Sequence, residues 1–104
     1  MDLLCLDREE VQDLLDLDLL LEALAEGFKA ISGGAAVAPA RNQVMVPGAG
    51  YLMAMPAWQP DAMLTVKLIT VFDGNHHSGL PSHQGLICVF DPATGTPLAK
   101  SLSA

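Results

Sequence analysis

The chain has 104 residues, 51% of them hydrophobic, with twelve acids against five Lys and Arg and a formal charge of −7. That is one domain's length, too apolar for a disordered chain, with no uncharged apolar run reaching the ~18 residues of a membrane span. Its acidity argues against nucleic acid or an anionic membrane as a partner, because both select basic clusters.

The charge is uneven along the chain. Residues 1–26 carry nine acids and only Arg8 as a base, whereas residues 27–104 carry three acids and four bases. So bare a second stretch is expected to bury both faces of its strands, or a large surface against a partner.

Asp7 followed by Glu10 and then Val11, Leu14 and Leu15 has the form of an N-cap with its capping-box partner, which predicts a short helix over 8–15. Asp16 or Asp18 caps a second helix, in which Leu20, Leu21, Leu24, Phe28 and Ile31 recur at helical spacing and Gly33-Gly34 supply the stop. Beyond a Gly/Ala/Pro passage the period changes to two, and 41–46, 51–55, 64–72 and 85–90 read as strands. Turn-forming residues separate them: Pro47-Gly48-Ala49-Gly50, Gln59-Pro60-Asp61, Asp73-Gly74-Asn75 and Asp91-Pro92-Ala93-Thr94-Gly95. The last of these is able to close a hairpin onto 97–102. Residues 100–104 either continue that strand or fray.

Strands joined by short turns predict an antiparallel sheet of about five strands preceded by two helices, an α+β fold in one domain over 1–104. In 64–72 one face carries Leu64, Val66, Leu68, Thr70 and Phe72, and the other Thr65, Lys67, Ile69 and Val71. Both faces are largely apolar, and the 86–90 strand repeats the pattern. The helices are therefore expected to cover one face, and a second copy of the chain the other. Cys5 and Cys88 form no CxxC or Cys/His spacing and follow no signal peptide, so a reduced, cytoplasmic protein is expected.

Spacing alone completes no catalytic constellation. Gly48 and Gly50 lack the strand–turn–helix setting and the third glycine of a dinucleotide fingerprint. His76, His77 and His83 have no Cys, Asp or Glu at ligand spacing, so no metal site is expected. Lys67 is a lone cation on an apolar strand face, where it must snorkel, pair with an anion or line a cavity. Arg41 opens a strand in a region almost free of acids, where it is either a solvated strand end or a partner for a bound carboxylate or phosphate. Ser82 and His83 follow Pro81 in a Gly/Pro-punctuated loop, as ligand contacts or as caps of a turn. Trp58, without basic neighbours, reads as a core or rim aromatic.

The ordered blocks Arg41, Tyr51-Leu52-Met53-Ala54-Met55-Pro56-Ala57, Val66-Lys67-Leu68-Ile69-Thr70-Val71-Phe72, Gly74-Asn75, Gly79-Leu80-Pro81-Ser82-His83-Gln84-Gly85 and Phe90-Asp91-Pro92-Ala93-Thr94-Gly95-Thr96-Pro97-Leu98-Ala99 resemble the N-terminal part of the ornithine cyclodeaminase/mu-crystallin family. Members use NAD(P)(H) on amino acids or cyclic imines, as ornithine cyclodeaminases, ketimine and pyrroline-carboxylate reductases and some alanine dehydrogenases, and are typically homodimers. The resemblance implies that residues 1–104 are a truncated substrate-binding and dimerisation domain, whose sheet packs on that of a second subunit. It implies that Arg41 and Lys67 hold the substrate carboxylate, and that Ser82 and His83 touch the cofactor near its reactive end.

After Leu98-Ala99 the sequence departs from the family pattern, reading Lys100-Ser101-Leu102-Ser103-Ala104 where an Asp-Gly turn and an arginine-bearing helix are usual. The Rossmann domain is absent, so the 104 residues alone are expected to be a non-catalytic, self-associating module needing no cofactor. Two alternatives stand beside this expectation. One is the parent enzyme's activity, as a cyclic-imine reductase or ornithine cyclodeaminase using NAD(P)H, and the other is a small carboxylate-binding module.

Overall fold

Asp7 Oδ1 accepts a hydrogen bond from the Glu10 amide at 2.8 Å, and Glu10 Oε1 accepts one from the Asp7 amide at 3.3 Å. This reciprocal box starts α1 (Arg8–Leu14) in the computed structural model, which describes residues 2–103. Asp16, rather than Asp18, starts α2 (Leu17–Ser32), its Oδ1 accepting from the amides of Asp18 and Leu19. Gly33 ends α2, and Gly34 turns the chain away in the left-handed conformation at φ +77°.

A seven-residue helix has too few internal hydrogen bonds to persist without its cap and its packing. Asp7→Ala is therefore expected to lower the stability of the chain by about 1 kcal/mol, read as a shift of the urea midpoint, while Asp7→Asn retains most of it. An unmoved midpoint for the alanine variant would mean that contact with the sheet alone holds α1.

Six strands form one mixed sheet in the order β1-β6-β5-β4-β3-β2. They are β1 (Leu4–Leu6), β2 (Asn42–Val46), β3 (Gly50–Ala57), β4 (Leu64–Val71), β5 (His83–Phe90) and β6 (Pro97–Ser103). The five strands from β2 onward run antiparallel and match the expected elements to within a few residues. The difference from expectation is β1, which lies ahead of the helices and pairs parallel to β6 through Leu4↔Ala99, Cys5↔Lys100 and Leu6↔Ser101.

The turns follow from their residues. Asp91 Oδ1 accepts from the Ala93 amide at 2.8 Å, Gly95 takes φ +74°, and the Asp91 amide donates to the Thr96 carbonyl, which together return the chain from β5 into β6. Pro56 lies on an interior strand but past the end of the β2 ladder, whose last pair is Asn42↔Ala54, so its missing N–H leaves no gap in that pairing.

Burial is shallow throughout. Among the described residues Val71, 8% exposed, is the one apolar side chain that counts as buried. The accessible surface is 7624 Å², about 2,000 Å² above the ~5,600 Å² expected of a compact monomer of this mass. The radius of gyration, 15.5 Å, likewise exceeds the ~13 Å of a compact chain of this length. The α+β arrangement thus stands as a thin layer, with far more surface in water than a self-sufficient core would leave.

Candidate functional site

Register decides which side chains share a face. Lys67 in β4 stands opposite Met55 in β3 and Ile87 in β5. With it on that face lie Thr65, Ile69 and Val71 from β4, Tyr51 and Met53 from β3, and Val89 and His83 from β5. The opposite face carries Leu52, Ala54, Val66, Leu68, Leu86 and Cys88. It is on this second side, at the β1–β6–β5 edge, that α1 contributes Asp7 and Glu10 to a cavity of about 260 Å³ lined also by Cys5, Leu86, Lys100 and Leu102. None of Arg41, Lys67, Ser82 and His83 lines that cavity.

Arg41 lies one residue before the Asn42↔Ala54 pair, which puts it level with Met55 and, by alternation, on the Lys67 face. Two ladder spacings, ~10 Å of sheet, separate the two cations. Both side chains are long enough to converge across Met55 on one small anion. Arg41 is exposed and Lys67 half-buried. The one ion pair among the described residues joins Lys29 to Glu26 at 3.5 Å, so neither cation is neutralised by a carboxylate of the described residues. A half-buried ammonium on an apolar face, with no counter-ion among the described residues, is free to meet an anion.

Ser82 and His83 are brought together at the start of β5, the hydroxyl 3.3 Å from His83 Nδ1. His83 pairs with Val71 and so lies on the Lys67 face, but four residues further along, ~13 Å from the level of Lys67. Arg41, Lys67 and His83 therefore share a face, with Ser82 beside His83 ahead of β5, and the four candidates form two pairs rather than a single cluster.

Asn75, which sequence reasoning treated only as a turn residue, fixes the loop that carries the second pair. Its side-chain amide donates to the Pro81 carbonyl at 3.0 Å, and its carbonyl accepts from the amides of Ser78 and Leu80. The Phe72 amide completes the anchor by donating to the Ser82 carbonyl at 2.8 Å. An Asn closing an Asp-Gly-Asn turn was the available signal. The His76 and His77 rings lie with centroids 3.9 Å apart at an interplanar angle of 41°, and no group of three metal-ligating side chains occurs among the described residues.

Helix N-termini are the usual anion seats, and both are already filled by carboxylates, Asp7 on α1 and Asp16 on α2. Gly48 belongs to the β2–β3 hairpin turn rather than to a strand–helix junction. No helix among the described residues is long and apolar enough to cross a membrane.

The model of the ornithine cyclodeaminase/mu-crystallin family matches residues 1–102. Mouse ketimine reductase mu-crystallin is 38% identical over 100 residues, covering 90% of this chain and 32% of the relative. Among solved structures, Thermococcus litoralis Δ1-pyrroline-2-carboxylate reductase in complex with NADH and L-proline superposes with a TM-score of 0.87 at 31% identity, over 95% of this chain and 31% of that one. An archaeal alanine dehydrogenase dimer with bound NAD gives 0.89 at 32% identity, over 98% and 31%. The chain thus spans about a third of the length of the proteins it matches.

Proposed function

The chain belongs to the ornithine cyclodeaminase/mu-crystallin family, and from that premise we propose that residues 1–104 are its substrate-holding and self-associating part, binding the carboxylate of a small amino or cyclic-imine acid between Arg41 and Lys67. The observation that carries this reading is the half-buried Lys67, level with Arg41 and without a carboxylate partner on an apolar face. A guanidinium and an ammonium flanking one carboxylate supply charge-assisted hydrogen bonds from two directions and fix the acid's orientation on the sheet. The apolar Met55 and Ile87 beside Lys67 suit the hydrocarbon ring or chain of such an acid. The relatives that act on pyrroline-2-carboxylate or hold L-proline support the same ligand class.

Within a longer protein, this clamp would serve an NAD(P)-dependent reductase or a cyclodeaminase, with Ser82 and His83 at the cofactor end of the face. A bound nicotinamide would supply the hydride chemistry. The residues here hold and orient the acid, but offer no seat for the cofactor's phosphates. The 104 residues alone accordingly bind without turnover, and reside in the cytoplasm as a homodimer.

The test is an NMR titration of the labelled chain with L-proline. Shifts are expected at Lys67, Met55 and Ile87, and Lys67→Ala should weaken binding at least ~10-fold, the usual loss for a hydrogen bond to a charged group. Equal affinity in the variant would remove the clamp. Oxidation of NADH by the 104 residues with Δ1-pyrroline-2-carboxylate would remove the non-catalytic part of the reading.

A further inference from the structure

The clamp face carries cations but no acid. None of the chain's twelve Asp and Glu lies in any of the six strands. Nine belong to residues 1–26, and the other three, Asp61, Asp73 and Asp91, stand in connections between strands. Asp91, the nearest of these by ladder count, is four residues past the Lys67↔Ile87 pair, ~13 Å of strand, and its Oδ1 is already taken by the Ala93 amide. Asp7 and Glu10 line the cavity on the opposite side of the sheet, each with one oxygen engaged in the capping box.

An acid whose carboxylate is held between Arg41 and Lys67 must lay its remaining atoms over the neighbours of Lys67. Met55, Ile69 and Ile87 are apolar and half-buried, while Tyr51, Thr65 and Ser101 offer neutral oxygens at most. The Thr65 hydroxyl already donates to the Ala57 carbonyl at 3.4 Å. A diamino acid of ornithine's length sets its second ammonium roughly 6 Å from its carboxylate, and so within about one Debye length of both cations, where like charges are only partly screened. Neutral hydroxyls do not offset that repulsion, nor the hydration that an ammonium gives up on an apolar face. A second copy closing on this face through the same strands brings no acid either.

We infer that this face selects its ligand by charge: it takes a small 2-oxo, imine or single-amine acid and rejects one that carries a second ammonium. The inference rests on the Arg41–Lys67 clamp proposed above and deepens it. Ring closure with loss of ammonia starts from a diamino acid, whereas reduction of a cyclic imine starts from a ring whose second nitrogen is already gone, so the clamp belongs to the reductase rather than to the cyclodeaminase. Arg41 and Lys67 thereby determine specificity as well as anchor the carboxylate. Two like charges at this range lower affinity on the order of tenfold at the effective dielectric of a protein surface.

The test titrates the full chain, by calorimetry, with three acids of one carbon skeleton: 2-oxopentanoate, L-norvaline and L-ornithine, each with one more ammonium than the last. Affinity is expected to fall along the series, with L-norvaline at least ~10-fold tighter than L-ornithine and the gap narrowing as salt is raised. Lys67→Met, which keeps an apolar side chain on the strand, and Arg41→Gln, at an exposed position, should each narrow the gap too, because either change removes part of the repulsion. L-Ornithine binding as tightly as L-norvaline would overturn the inference and leave the clamp standing. A gap unmoved by salt and by both variants would overturn it as well, by assigning the discrimination to shape. Binding of none of the three acids would remove the clamp, and the inference with it.

Discussion

Gly50→Ala is expected to remove about 3 kcal/mol of stability, enough to leave much of a marginal chain unfolded at ambient temperature. Gly50 opens β3 directly after the hairpin turn, paired with Val46 on one side. A Cβ there would overlap the Val71 carbonyl oxygen and come within 2.7 Å of Phe72 Cγ and 2.8 Å of Phe72 Cδ1. The first of these is backbone at the end of a central strand, so a rotamer change cannot relieve the clash and β3 and β4 must part. Val71 is also the one buried apolar residue among those described, so the displacement falls on the best-packed point of the sheet. Gly74→Ala is the control, because a Cβ at Gly74 meets nothing within 4 Å and should stay within ~0.5 kcal/mol of the parent. Coincident urea midpoints for the two variants would show that the β3–β4 ends separate freely.

The second large effect is on assembly. A dimer mass is expected for the parent chain by light scattering, and a monomer for Met53→Asp at the same concentrations. Met53 lies near the middle of the Lys67 face, opposite Ile69 and next to Tyr51 and Met55 along that face. A carboxylate placed there would be desolvated without a partner on closing two sheets, a penalty of several kcal/mol that water spares it in the monomer. Because Met53 is half-buried rather than enclosed, the isolated sheet should retain its circular dichroism spectrum. A monomeric parent chain, or a variant that stays dimeric, would move the interface off this face and lower the assignment of the Arg41–Lys67 clamp with it.

Local chemistry made most of the fold legible. The Asp7/Glu10 box, the Gly33-Gly34 stop and the Asp91–Gly95 turn are each settled within six residues, so the sequence states them outright. β1 escaped because Leu3-Leu4-Cys5-Leu6 has no alternation, and because its strand character depends on pairing with residues at the far end of the chain. The apolar spacing of α2 was legible, but periodicity does not give the direction of an apolar face, and Leu21, Phe28 and Ile31 stay exposed while Leu20, Gly27 and Ala30 are half-buried. Lys67 stood out as a lone cation, yet its alignment with Arg41 depends on the β2–β3 and β3–β4 registers, and register is a long-range property. Ser82 and His83 are sequence neighbours, but the sequence stated neither their mutual contact nor their distance from Lys67.

The parallel β1–β6 pair has a consequence for how this polypeptide is made. Leu4 is synthesised well before Ala99, and each is the other's ladder partner. Closing a loop of about 95 residues costs on the order of 4 kcal/mol in entropy before three residue pairs return anything. β1 must therefore stay unpaired until β6 has been made, so the β2–β5 meander is expected to assemble before β1 docks. During that interval the acids that follow Leu3, Leu4 and Leu6 help to keep them in solution, which gives the lopsided charge of residues 1–26 a part in folding.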